Sequence, residues 1–143
     1  MSVSFEIDTS TDFGARVERR LRGEEIIWLV TVNADGTPEP SPVWFYWDGQ
    51  TILVYSKKGT ARERNLRRRS RVGLHFDCGE HGSNIVVFTG DAQIEDDAPP
   101  PHAMPEYATK YRAGFARIGV TAEQFSYAYP LAIRIRPQRL RGF

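Results

Sequence analysis

Polar and apolar positions along the chain follow two periods. Phe13, Val17 and Leu21 recur every four residues and put one apolar stripe on a helix over 11–22. Ser10 or Thr11 can cap its start and Gly23 can end it. Arg16, Arg19, Arg20 and Arg22 fall largely off the stripe and read as a solvated face. The run 26–32 is apolar on both parities and β-branched, as in a strand covered on both sides. Asn33-Ala34-Asp35-Gly36 supplies turn residues. A second strand is predicted over 42–47, and Asp48-Gly49 then gives a two-residue hairpin signal leading into a third over 51–56.

Helical spacing returns at Thr60-Ala61-Arg62-Glu63. This is a capping-box pattern, with Thr60 as N-cap and Glu63 reaching back, and it predicts a helix over about 60–70. Strands are expected over 71–76 and 84–89, the latter continuing to 94. Pro99-Pro100-Pro101 interrupts regular structure. Tyr107, Tyr111 and Phe115 then place a helix over 105–116, and Thr121-Ala122-Glu123-Gln124 opens another over 121–127. Ala132-Ile133-Arg134-Ile135-Arg136 alternates apolar and basic, the pattern of a half-exposed strand. About six mostly antiparallel strands interrupted by short helices predict a mainly β fold, a β-barrel with peripheral helices, over a single domain 1–143.

Composition narrows the function classes. At 143 residues and 41% hydrophobic content the chain can bury one sizeable core. No apolar run approaches the ~20 residues of a membrane helix, and Met1-Ser2-Val3-Ser4-Phe5-Glu6 lacks the basic-then-apolar order of a secretion signal. A cytoplasmic protein is expected, with no membrane partner. Cys78 is the one cysteine, so no intrachain disulfide framework exists. Net charge is +1, with 16 Arg against 3 Lys. Despite Arg67-Arg68-Arg69-Ser70-Arg71, that balance and the lack of an RNA-binding signature argue against nucleic acid as a partner. His75, Cys78 and His81 share a three-residue spacing, but no second ligand pair follows, so they read as strand and loop residues and no metal is expected. Neither a Gly-x-Ser-x-Gly elbow nor a Walker loop occurs, and no catalytic residue can be named.

The chemically informative stretch is 54–66. A strand ends in Ser56-Lys57-Lys58, Gly59 permits a tight loop, and a helix begins at once. Helix N-termini carry unpaired N–H groups and favour anions. Lys57 and Lys58 add point charges, Ser56 and Thr60 add hydroxyl donors, and Arg62 adds a planar fork suited to phosphate. Arg62 lies four residues before Leu66 and should face the protein body with it. Arg64, Arg67, Arg68 and Arg71 should face water. The aromatic positions Trp28, Trp44, Phe45, Tyr46 and Trp47 read as core, or as a wall for a flat ring beside the phosphate-suited loop.

The order of these motifs resembles the pyridoxamine 5′-phosphate oxidase-like split-barrel family of flavin and deazaflavin proteins. The resemblance rests on the run 29–38 from Leu29 to Pro38, then Pro42-Val43-Trp44-Phe45, Asp48-Gly49 and the segment from Tyr55-Ser56 to Arg64-Asn65-Leu66. Tyr107 to Tyr111 and Ile133-Arg134-Ile135 resemble its small actinobacterial branch. The family implies a six-stranded antiparallel split barrel that forms a homodimer, with cofactor sites between the subunits. Its members bind F420 or FMN, and some bind haem. Carried over, the phosphate lies against Ser56, Lys57, Lys58, Thr60 and Arg62 with Asn65 nearby, and the ring lies along Pro42, Val43 and Trp44. The FMN-using oxidases carry an arginine-rich strand where this chain has Glu39-Pro40-Ser41-Pro42-Val43. Their C-terminal substrate segment has no match before Phe143. Both departures favour an F420-dependent reductase acting on a small organic molecule, with an FMN oxidoreductase or a non-catalytic flavin, deazaflavin or haem binder as alternatives.

Overall fold

In the computed structural model, which describes residues 5–143, the chain runs α1 (Asp12–Gly23), β1 (Ile26–Val32), β2 (Pro38–Trp44), β3 (Tyr46–Trp47), β4 (Ile52–Ser56), α2 (Ala61–Arg68), β5 (Arg71–His75), β6 (Val86–Ile94), α3 (Pro105–Lys110), α4 (Arg112–Ile118), α5 (Ala122–Ala128) and β7 (Leu131–Gly142). The strands form one antiparallel sheet in the order β2-β1-β5-β6-β7-β4-β3. Its two terminal strands, β2 and β3, are neighbours in sequence, separated only by Phe45. The sheet therefore curls until its edges are joined by the chain itself. The expectation for the first four residues, that they carry no secretion signal, lies outside the described residues. Among the described residues no helix is long and apolar enough to cross a membrane.

The mainly β, split-barrel architecture is as expected, with seven strands in place of six. The added strand comes from division of the predicted 42–47 strand. Phe45 leaves the β1 ladder, and its main-chain groups are taken elsewhere: the Tyr111 hydroxyl accepts from Phe45 N–H at 2.8 Å, and Lys110 Nζ donates to Phe45 C=O at 2.8 Å. The chain before Phe45 pairs with β1 and the chain after it pairs with β4. β2 also begins earlier than predicted, at Pro38. Pro38, Pro40 and Pro42 are spaced by two, so their missing N–H groups share one side of the strand, and β2 is a sheet edge where such groups are not needed.

β7 runs past the predicted end at Arg136. Pro137 reads locally as a stop, yet a register shift at Thr89/Gly90 lets pairing continue to Gly142. Gly90 is required there, since a Cβ would sit 2.3 Å from the Arg136 carbonyl oxygen. The predicted 105–116 helix breaks at Tyr111 into α3 and α4.

Alternate positions of β1, β5 and β6 (Ile27, Leu29; Val72, Leu74; Val86, Phe88) fill the barrel, sealed by Val17 and Leu21 of α1. A second cluster, Leu53, Tyr55, Tyr107, Tyr111, Phe115, Phe125 and Ala132, lies between the barrel wall and the α3–α5 segment. Thr11 caps α1 by accepting from Gly14 N–H. Of the arginines read as a solvated face, Arg19 and Arg22 are exposed, but Arg16 and Arg20 are not. Arg16 bonds Asn84. Arg20 donates to the Asp77 and Asn84 carbonyls, pairs with Glu24 and lies over the Phe76 ring, which fastens α1 to the loop between β5 and β6. That loop is 57 or more residues away in sequence, so helical periodicity carries no trace of it.

Candidate functional site

β4 is buried at every position and delivers Ser56 to the barrel rim. The turn through Lys57, Lys58 and Gly59 then uses a positive φ of 76° at the glycine. Thr60 caps α2, accepting from Glu63 N–H at 3.3 Å. The reciprocal half of the predicted capping box is displaced by one residue: Glu63 accepts from Gly59 N–H at 2.8 Å, not from Thr60. One turn into α2, Arg62 points inward beside Leu66. Its Nη1 donates to Ser56 Oγ at 2.8 Å and its Nη2 to Ser41 Oγ at 2.6 Å, bridging the end of β4 to the middle of β2. Among the described residues this guanidinium has no carboxylate partner. Burial lowers its pKa from the usual arginine value, a measure of how far it is withdrawn from water.

Arg62 stands at the polar end of a cleft of about 420 Å³, whose apolar lining comes from Pro42, Val43 and Trp44 of β2, from Tyr55, and from Ile118, Phe125 and Tyr129 of the helical segment. Thr60 and Lys57 complete the polar end. Lys57 is exposed, with Nζ 5.4 Å from the centre of the Tyr129 ring. Four rings run in a column from Tyr111 through Trp44 and Phe125 to Tyr129. Their centres are 4.5, 5.3 and 4.5 Å apart and their planes are within 18° at each step. Gly114 admits the Trp44 ring to α4, where a Cβ would lie 3.0 Å from Trp44 Cη2.

Of the nine residues singled out from the sequence, Pro42, Val43, Trp44, Ser56, Lys57, Thr60 and Arg62 converge on this cleft. Lys58 is exposed outside the lining, and Asn65 lies behind it. The Asn65 Nδ2 group donates to Thr31 Oγ1 at 3.1 Å and Asn33 Oδ1 at 2.9 Å, while Oδ1 accepts from Arg68 at 3.3 Å, so its amide ties α2 to the end of β1. Sequence reasoning missed Tyr55, Ile118, Phe125 and Tyr129 as lining residues. The aromatic spacing of 125 and 129 signals a helix but not what the helix covers. His75 stacks on Trp28, while Cys78 and His81 are exposed. Among the described residues no three His, Cys, Asp or Glu side chains converge as a metal site.

Two expected results follow from the polar end and its support. Arg68, exposed on the far side of α2, makes its one side-chain hydrogen bond among the described residues to Asn65. Arg68→Ala changes ligand affinity at the cleft by no more than about 0.3 kcal/mol, as for exposed charges generally; calorimetric titration checks this, and a large loss removes the assignment of helix faces. Lys110, over the Phe45 ring at 3.7 Å, has its pKa lowered by burial from 10.5 to about 8, against the opposing pull of Glu25 and Glu24. The native state then binds this proton less tightly than the unfolded chain does. Stability therefore rises with pH from about 8 towards 10.5. Tyr55 works the other way. Burial raises it to about 12, and it costs stability once unfolded tyrosines ionise near ~10. Melting temperatures of the wild type between pH ~8 and ~9.5 should therefore climb relative to Lys110→Met; parallel profiles would contradict this.

A family model described as pyridoxamine 5′-phosphate oxidase matches residues 13–141. The chain belongs to this family. Solved structures similar to this family member agree on the fold. An F420 reductase superposes with a TM-score of 0.66 at 19% identity, covering 86% of this chain and 94% of its own. HutZ, a haem storage protein from Vibrio cholerae, gives 0.63 at 18% identity, covering 96% and 95%. A FAD-binding protein from Mesorhizobium loti gives 0.57 at 16%, covering 88% of each chain. At these identities the likeness establishes the split-barrel fold. The ligands in those names differ.

Proposed function

We propose that the cleft binds a phosphate-bearing, flavin-type cofactor, and that the protein is an F420-dependent oxidoreductase acting on a small organic acceptor. The observation that carries this reading is Arg62: a withdrawn guanidinium without a carboxylate, held by two serine hydroxyls at the polar end of an otherwise aromatic and apolar cleft. An anion with a planar, apolar body satisfies both ends. The volume lies in the range of small-molecule sites, roughly 300–1,000 Å³. Ser56, Thr60, Lys57 and Arg62 would hold the phosphate, and Pro42, Val43 and Trp44 would orient the ring. A bound deazaflavin supplies the hydride chemistry itself. The protein contributes position and the exclusion of water, chiefly through Ile118, Phe125 and Tyr129.

F420 is favoured over FMN because the stretch Glu39-Pro40-Ser41-Pro42-Val43 holds no arginine where the FMN-using members carry an arginine-rich strand, leaving Arg62 as the buried-side cation. The FMN reading is supported by the family model, and an FMN oxidoreductase is the second candidate. For haem, the lining offers no histidine, cysteine or methionine, so of these residues only Tyr55 or Tyr129 could hold the iron.

The same reading includes a homodimer. On β6, Val86 and Phe88 enter the core while Val87 faces outward, half-exposed, beside the half-exposed Trp28 and Val30 of β1. A second copy would cover this face and narrow the cleft mouth at Pro42. Calorimetry on stripped protein with F420, FMN and haem is the test. F420 should bind most tightly, and reduced F420 should be consumed when an acceptor is added. FMN binding at least as tightly as F420 would move the protein to the second candidate, and failure of all three to bind would remove the cleft as a cofactor site.

A further inference from the structure

Pro42, Val43 and Trp44 line the cleft together with Tyr55 and Ser56 of β4, a strand that pairs with β7 and β3 and not with β2. Successive side chains of a strand point to opposite faces. A cleft touched by three consecutive residues therefore lies along the strand's edge, and β2 has one free edge because it ends the sheet. In an antiparallel ladder, pairs that exchange both main-chain hydrogen bonds alternate with pairs whose N–H and C=O groups point away from the partner. A proline fits within the ladder only in a pair of the second kind. The register sets Pro38 opposite Val32, Pro40 opposite Val30 and Pro42 opposite Trp28 without a break. Glu39, Ser41 and Val43 thus direct their N–H groups to β1, and the groups on the open edge belong to the prolines. From Pro38 to Val43 that edge presents the carbonyl oxygens of Pro38, Pro40 and Pro42 and no N–H. The first N–H on that side is Trp44's, where β2 ends.

Such an edge suits ligand groups that donate and leaves groups that accept unmet. An oxidised flavin and its 5-deaza counterpart share the N3–H donor and the acceptors N1, O2 and O4. They differ at position 5, which is a nitrogen with a lone pair in the flavin and a C–H in the deazaflavin. A C–H against a carbonyl oxygen is a weak hydrogen bond. A lone pair against the same oxygen is an acceptor that has lost its water and found no donor. Tyr55, also in the lining, offers no remedy, since its hydroxyl donates to the Pro99 carbonyl at 2.6 Å. Protection of an exposed edge from pairing with another chain is a general use of proline, but it implies no difference between two rings.

We propose that the proline-bearing edge of β2, through Pro42 in the cleft lining and Pro40 beside it, selects a deazaflavin ring over a flavin ring. This rests on the cofactor reading of the cleft given above. The discrimination comes from a main-chain donor that is missing, not from a side chain that is present. A site that leaves a buried polar group of the wrong ligand unpaired discriminates more strongly than one that merely fits the right ligand.

The matched probes are FMN and 5-deaza-FMN, which share phosphate and tail and differ at one ring atom. By calorimetry, stripped wild-type protein should bind 5-deaza-FMN about three- to tenfold more tightly than FMN, the size of one hydrogen bond left unmade. Equal affinities, or tighter binding of FMN, would overturn the proposal and leave the cofactor reading standing. Pro42→Ala restores an N–H to the edge within the lining. It should bring FMN to within about twofold of 5-deaza-FMN by tightening FMN, not by weakening 5-deaza-FMN. Pro38→Ala restores an N–H outside the lining and should keep the wild-type ratio. A folded Pro42→Ala protein with the wild-type ratio would place the selectivity elsewhere and overturn the proposal. Should that variant not fold, Pro40→Ala, two residues along the same edge, should narrow the ratio in the same direction, and an unchanged ratio there counts against the proposal equally. A wild type that binds neither probe would remove the cofactor reading itself, and the proposal with it.

Discussion

Arg62→Ala should lower cofactor affinity by roughly 10- to 150-fold, the equivalent of about 1.5–3 kcal/mol for charge-assisted hydrogen bonds to a phosphate. The fold should survive. Among the described residues Arg62 bonds only Ser56 and Ser41, and Ser56 lines the cleft, so water can enter once the guanidinium is gone. Calorimetric titration with F420 and FMN, beside a thermal melt, separates the two effects. A folded variant with unchanged affinity for both ligands would dismiss Arg62 as a ligand and, with it, the observation on which the proposed function rests. Arg62→Lys is the informative companion. It keeps the charge but cannot span both serines with a planar fork, so it should recover only part of the loss.

The second large effect is on stability. Tyr111→Phe removes a hydroxyl that accepts from Phe45 N–H at 2.8 Å and lies 2.6 Å from the Glu25 carbonyl and 2.9 Å from that of Phe45. Burial raises the Tyr111 pKa, so at ordinary pH this hydroxyl is protonated and can donate as well as accept. Phenylalanine preserves the stack on Trp44 but leaves the buried Phe45 N–H without its partner. A buried group left unpaired costs about 1–3 kcal/mol, and the set here about 2–4 kcal/mol. For a chain of this size that is a fall of roughly 6–12 °C in melting temperature. Because Phe45 follows Trp44 directly, the cleft wall should loosen too, and cofactor affinity should fall severalfold. Melting and titration of the same preparation measure both, and an unchanged melting temperature would show that Lys110 alone suffices to hold the division of the sheet.

Much of this was legible in the residues because the signals involved are local. The 3.6-residue spacing of Phe13, Val17 and Leu21, the caps at Thr11, Thr60 and Thr121, and the turns at Asp48-Gly49 and Lys57-Lys58-Gly59 each act within about one turn of chain. They locate the elements without knowledge of what packs against them. The inward direction of Arg62 was legible for the same reason, since four residues of helix bring it to the same side as Leu66.

What the tertiary structure alone decided are features whose cause lies far along the chain. A strand over 42–47 reads as continuous because nothing near Phe45 interrupts it. It is divided by Lys110 and Tyr111, 65 and 66 residues later. Pro137 reads as the end of β7, yet a shift opposite Gly90 carries the strand on. Asn65 sits on the buried side of the helix that carries Arg62, but its amide is spent on Thr31 and Asn33. Phe125 and Tyr129 become a cleft wall only when α5 returns over β2. Short-range periodicity specifies which face of an element is apolar. Which partner meets that face depends on contacts between distant segments, and those form only when the sheet closes.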